Sequence, residues 1–161
     1  AVLRYIRQWT GDAAKDISQT TVKQLRALIA EGVEEGLSST QIAKMIKAKI
    51  PSLSDIRSRT IARTETHTAA SIGAHIAAEA TGLPLRKEWI ATNDDRSRGN
   101  DDPVTWNHVA LNGTIIGMHE KFTVTNESTG ETEDLDFPGD PTGSAGNIIN
   151  CRCIVGYVEA E

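Results

Sequence analysis

The chain has 161 residues, 39% hydrophobic and 24% charged, with a formal charge of −5, which fits one ordinary domain or a helical arm attached to a smaller one. No stretch approaches the roughly 18 unbroken apolar residues of a membrane helix, and the hydrophobic content is near the globular norm, so membrane-spanning and wholly disordered readings are excluded. The charge is unevenly spread: residues 1–51 carry eight Lys and Arg against five Asp and Glu, whereas residues 86–161 carry six against fourteen. The acidic half cannot hold nucleic acid by charge and the basic surplus of the first third is thin, so composition argues against direct nucleic-acid binding. No signal peptide is visible, and a chain that opens on Ala1 rather than Met says little about targeting.

After a short apolar start (Val2, Leu3, Ile6, Trp9) and a break at Thr10-Gly11-Asp12, the residues Val22, Leu25, Leu28, Ile29 and Val33 recur at helical spacing, with Gly36 placed to end that helix. Ser38 or Ser39 caps a second helix carrying Ile42, Met45, Ile46 and Ile50, which stops against Pro51 because a residue before proline is pushed out of the α region. A third helix, long and Ala-rich, starts at Ser54 or Asp55 and runs to about Thr81, with Gly82 as its stop and Pro84 beyond. From Leu85 the texture changes to short β-prone runs at 85–91, 114–116, 122–125 and 148–158, separated by polar loops. Asp102-Pro103-Val104 opens a short helix through Ala110, closed by Asn112-Gly113. Residues 126–133 read as a hydrophilic hairpin tip, and prolines and glycines shape the loop 137–147. The expected fold is α+β: residues 1–51 form a helical arm that hinges at Pro51 and faces partners, and residues 52–161 form a domain with one long helix packed on a small, loop-rich sheet.

Three groups of residues ask for a reason. On the third helix, Glu65 falls with Ile61, Thr68, Ile72 and Ile76 inside an arc of about 80° at 100° per residue. Either that stripe is partly in solvent, or a buried carboxylate needs a partner, for which Arg96, Arg98 and Arg152 are the candidates. Asp94, Arg96 and Arg98 alternate just after the run that contains Trp89, a pattern that local turn pairs would also produce. Cys151 and Cys153 are too close in sequence for an unstrained disulfide, and on one strand they would share a face. Buried, reduced thiols without a cofactor are the expectation, in a reducing compartment. The alternative is zinc, with His108 and His119 or Asp94 as completing partners, although structural zinc sites usually use the wider Cys-x-x-Cys spacing. No glycine-rich phosphate loop, Gly-x-Ser-x-Gly elbow, His-Glu-x-x-His or calcium loop is present, so no catalytic residue is assigned.

In order, Ala62-Arg63-Thr64-Glu65, then Trp89 with Asp94-x-Arg96-x-Arg98, then His108 and Gly113, and finally Asn150-Cys151-Arg152-Cys153 form a combination that resembles the phage Mu protein F-like minor head proteins, the phage head-morphogenesis domain family. The likeness runs from about Arg59 to Val155. It departs from the family in one spacing: nine residues, Gly99 to Asn107, separate the second arginine from the histidine, where the family usually has a few. The resemblance implies a minor capsid protein of a tailed phage or prophage, present in few copies in the virion and in the host cytoplasm during assembly. Its partners would be the portal and capsid or scaffold proteins, with no membrane. Some members carry the domain joined to a portal protein or to a C-terminal toxin. On this reading the protein is non-enzymatic, and Glu65, Asp94, Arg96, Arg98 and Arg152 tie the long helix to the β half. The alternative is a phage-delivered enzyme, a metal-dependent hydrolase or a transferase, whose cleft the same polar residues line.

Overall fold

The computed structural model describes residues 19–99 and 106–160. The apolar start at Val2 to Trp9, the break at Thr10-Gly11-Asp12 and the helix start at Asp102-Pro103-Val104 lie outside the described residues. The chain divides into two compact units, residues 1–70 and 71–161.

In the first unit, α1 (Gln19–Glu34) and α2 (Ser39–Lys49) precede α3 (Asp55–Ala80), whose residues to Ala70 belong to this unit and whose remainder belongs to the second. Gly36 ends α1 in the left-handed region (φ 69°), where the Leu37 N–H reaches the Gly32 carbonyl and the Gly36 N–H the Val33 carbonyl, the paired bonds of a Schellman stop. Ser38 then caps α2 in a capping box with Gln41. The Ser54 hydroxyl accepts the Arg57 N–H and so starts α3. Leu25, Leu28 and Ile29 of α1, Ile42 and Ile46 of α2, and Ile61, Ala62 and Ala69 of α3 share one apolar cluster, which also takes in Ile50 and Leu53. The expected boundary at residues 51 and 52 therefore lies inside the first unit. The Pro51 connection is fastened, with buried residues on either side and the Lys47 ammonium donating to the Pro51 and Leu53 carbonyls at 3.1 and 2.6 Å.

In the second unit, β1 (Leu85–Ile90) is the centre of a three-stranded antiparallel sheet, between β2 (Ile115–Gly117) and β5 (Ile154–Glu159). A separate hairpin pairs β3 (Phe122–Thr125) with β4 (Thr132–Leu135), Phe122 opposite Leu135. Trp89, Trp106, Phe122, Val124, Leu135, Cys151 and Cys153 form this unit's apolar cluster. The α+β class is as expected, with three differences. The run 122–125 pairs with β4 rather than joining the sheet, and the hairpin turns Phe122, Val124 and Leu135 inward on one face. The run 148–158 is not one strand: a short helix, α4 (Ala145–Ile148), and Asn150 in a left-handed turn (φ 59°) precede β5. The helix expected through Ala110 is, among the described residues, one 3-10 turn at Val109–Leu111. No helix among the described residues is long and apolar enough to cross a membrane.

Candidate functional site

The site is built where β1 ends. Trp89 is fully buried, its N–H donates to the Thr114 carbonyl at 3.0 Å, and its own carbonyl accepts the Gly113 N–H at 2.8 Å. Gly113 is left-handed (φ 78°), the conformation a glycine adopts without strain, which accounts for its place in the motif. Beyond Ala91 the chain reverses through Asn93 (φ 54°) into a turn organised by Asp94. The Asp94 carboxylate accepts the Arg96 N–H and the Ser97 hydroxyl, both at 3.1 Å. Arg152 lays both terminal nitrogens of its guanidinium on both oxygens of the same carboxylate, the fork geometry that makes arginine pairs directional. That guanidinium holds the Asp94 carboxyl well below the usual carboxylate range, with the Arg96 and Ser97 bonds adding to it against a burial contribution that raises it. The Thr92 hydroxyl adds a bond to the Arg152 carbonyl at 2.9 Å. Arg96 itself is exposed, 3.6 Å from Asp94.

Arg98 works through both ends. Its carbonyl accepts the N–H groups of His108 and Val109, each at 3.1 Å, so the nine-residue excursion returns to the arginine from which it left. Its guanidinium donates to the Ile149 carbonyl, fixing the segment that leads to the cysteines. His108, Cys151 and Cys153 are then brought together at 1%, 2% and 3% exposure, with the two sulfurs 3.5 and 3.6 Å from His108 Nδ1. The Trp89 ring meets the imidazole edge-on, 5.2 Å between centroids. The other imidazole nitrogen, Nε2, bonds to Asn147 Oδ1. Since the Asn147 amide nitrogen donates to Glu133 at 3.0 Å, its oxygen is left to accept, and Nε2 must carry the proton. With Nε2 as the donor, the lone pair of a neutral imidazole lies at Nδ1, toward the two sulfurs.

The thiols are coupled. Cys151 donates toward Cys153, which raises the Cys151 thiol, as burial does, and lowers that of Cys153 against the effect of burial. The Arg98 guanidinium favours the charged form of Cys151. Thiol, imidazole and amide stand in the order of a nucleophilic relay, but groups this deeply buried offer a substrate no approach. A groove of about 370 Å³ in the first unit, lined by Ala43, Lys44, Lys47, Asp55, Ser58 and Arg59 among others, contains none of the motif residues.

The second unit thus unites Trp89, Asp94, Arg98, His108, Gly113, Cys151, Arg152 and Cys153, with Asn150 supplying the turn before the cysteines. His119, considered as a metal partner, is exposed beside Glu79 instead, and Asp94 is committed to Arg152. Arg63, Thr64 and Glu65 belong to the first unit: Arg63 faces solvent, while Thr64 and Glu65 are buried. Burial alone lifts the Glu65 carboxyl to about 8. The three arginines considered as its partners have other engagements, Arg152 and Arg96 at Asp94 and Arg98 at the Ile149 carbonyl. Sequence reasoning missed Lys87, Asn147 and Glu133. Lys87 is fully buried, bonded to the Asp136 carbonyl at 2.9 Å and lying over the Phe122 ring; its two-residue offset from Trp89 was the available signal. For Asn147 and Glu133, both in segments read as loop, a single sequence held no signal.

The family described as "Phage Mu protein F like protein" matches residues 23–156. The uncharacterized protein YqbB of Bacillus subtilis (strain 168) is 28% identical over 156 residues, 97% of this chain and 48% of that protein. The NAD(+)--arginine ADP-ribosyltransferase EFV of Enterococcus faecalis (strain ATCC 700802 / V583) is 28% identical over 128 residues, 78% of this chain and 23% of that protein. The chain spans half or less of the length of these relatives. No solved structure matches it.

Proposed function

Because the chain belongs to the Phage Mu protein F-like family, we propose that it is the head-morphogenesis module of a phage or prophage protein, a minor component of the virion that associates with portal and capsid or scaffold proteins during head assembly. The observation that carries the non-enzymatic reading is the enclosure of the motif. His108, Cys151 and Cys153 are each at most 3% exposed, and Asp94, Arg98 and Arg152 spend their polar groups on cross-links between loops rather than on a cleft. Polar groups satisfied within the fold in this way rigidify it, as a module that acts by binding requires.

The match to part of an ADP-ribosyltransferase fits the same reading. The shared stretch is 23% of that protein, and a module that travels with different polypeptides accounts for a likeness confined to it. The alternative, an enzyme that works through the polar cluster, needs that cluster to open.

The test is composition and assembly of the particle. In the phage or induced prophage that encodes this chain, mass spectrometry of purified virions and procapsids should find the protein at low copy, and an in-frame deletion should lower infectious titre or produce aberrant heads by electron microscopy. Absence from both particle types together with an unchanged titre would overturn the proposal.

A further inference from the structure

We infer that His108, Cys151 and Cys153 form a structural metal centre for a thiophilic divalent ion, zinc, sealed in the core of the second unit. The donor atoms, one imidazole nitrogen and two sulfurs, lie within 4.8 Å of one another. Zinc sits about 2.3 Å from sulfur and about 2.0–2.1 Å from nitrogen, and a tetrahedral angle between those bonds places nitrogen and sulfur about 3.5–3.6 Å apart. The observed separations are 3.5 and 3.6 Å, one for each sulfur.

Hydrogen bonding alone does not account for this arrangement. A neutral imidazole has one lone pair at Nδ1, and two sulfurs stand at equal range from it. A cation at the centre of the triangle engages all three donors at once. A disulfide is disfavoured by the two-residue spacing, and both cysteines are free.

The surroundings have the form that supports a metal ligand. His108 Nε2 is tied to Asn147, and Asn147 to Glu133, whose carboxylate also accepts the Ser144 N–H at 2.9 Å. Such an outer bond fixes the imidazole tautomer and leaves the ligating nitrogen bare. Charge closes as well: two thiolates and a neutral imidazole around a divalent ion sum to zero, the cheapest state for a buried site. Binding releases two thiol protons to solvent, one from each cysteine. With three protein donors a fourth position remains for a small ligand such as water, and the enclosure denies it to a substrate, so the role is to join the His108 turn to the segment entering β5.

The untagged 161-residue chain, purified with a phosphine reductant, should carry about one zinc by elemental analysis. Chelation should lower its Tm by more than about 5 °C, and added Zn²⁺ should restore it. Cobalt substitution should give a thiolate-to-cobalt charge-transfer band that weakens in Cys151→Ser and in Cys153→Ser and disappears when both are replaced. Since a ligand variant can simply fail to fold, Asn147→Ala supplies a second measure: it should keep the ligands and weaken zinc affinity about tenfold or more. Less than about a tenth of an equivalent of metal, with no thermal shift on adding Zn²⁺ or Cd²⁺ to the reduced wild-type chain, would overturn the inference. That result would leave the head-assembly proposal untouched, because the composition of the virion is read independently.

Discussion

Glu65 is a carboxyl that burial lifts from an ordinary 4.5 to about 8. Between those two values the native state holds a proton that the unfolded chain has released. Its contribution to stability is therefore complete below about 4.5 and is lost as the pH climbs through about 8. Glu65→Gln keeps the shape without the titration, so its stability should lack this slope over that window. The variant should overtake the wild type by about 1.4 kcal/mol for every pH unit crossed, a margin that urea unfolding at pH 5 and pH 8 would measure. A variant less stable than wild type at both pH values would instead reveal a partnered carboxylate. Asp94 has the opposite sign: Arg152 lowers its pKa, so its contribution is present above the ordinary carboxylate value and is lost as the pH falls through the folded one. Asp94→Asn should flatten the acid limb of the stability profile below about pH 4, checked by thermal melts from pH 2 to pH 6.

Among the elements, the pair α1 and α2 depends on one glycine. A Cβ at Gly32 would stand 2.5 Å from Cγ1 of Ile42, a fully buried side chain with nowhere to retreat. Alanine gains about 1 kcal/mol of helix propensity over glycine, but overpacking costs about 1–3 kcal/mol. Gly32→Ala should therefore be net destabilising by about 1 kcal/mol, read as a lower denaturant midpoint. The helices were legible because their ends carry chemistry: Gly36, Ser38 with Gln41, and Ser54 stand where periodicity starts and stops. The strands were less so. β4 buries only Leu135 of its four residues, too little to show alternation, and the apolar run from Ile148 to Val158 conceals the turn at Asn150, which nothing but backbone geometry reveals. At the site, the motif contained Asp94, Arg152, His108 and the two cysteines because each contributes distinctive chemistry, but it did not show that Arg152 pairs with Asp94 rather than with Glu65. Asn147 and Glu133 remained invisible because their importance comes from partners distant in sequence.

For the whole molecule, the apolar cluster of the first unit decides what can be cut. A chain of residues 52–161 would expose Ile61, Ala62 and Ala69, which the described parts of α1 and α2 cover with Leu25, Leu28, Ile29, Ile42 and Ile46. Hydrogen exchange over residues 55–70 should accelerate by more than about a hundredfold in that fragment, or the fragment should aggregate. The near-ultraviolet dichroism of Trp89 and Trp106 should persist, because every member of their cluster lies beyond residue 88. Slow exchange over 55–70 would mean that the first helices are an appendage rather than part of that core.

The return of the chain to Arg98 carries a consequence of its own. Gly99 leaves in the left-handed region (φ 98°), and a Cβ there would overlap the Asn107 side chain at 2.0 Å, while His108 and Val109 dock on the Arg98 carbonyl. Exit and re-entry are thus clamped side by side, and the histidine is located by that clamp rather than by its count along the chain. Gly99→Ala should therefore loosen the clamp and free the histidine from its place, read as faster reaction of the buried thiols with a disulfide reagent than in the wild-type chain. A motif anchored in this way can drift in spacing among relatives while its chemistry stays in place.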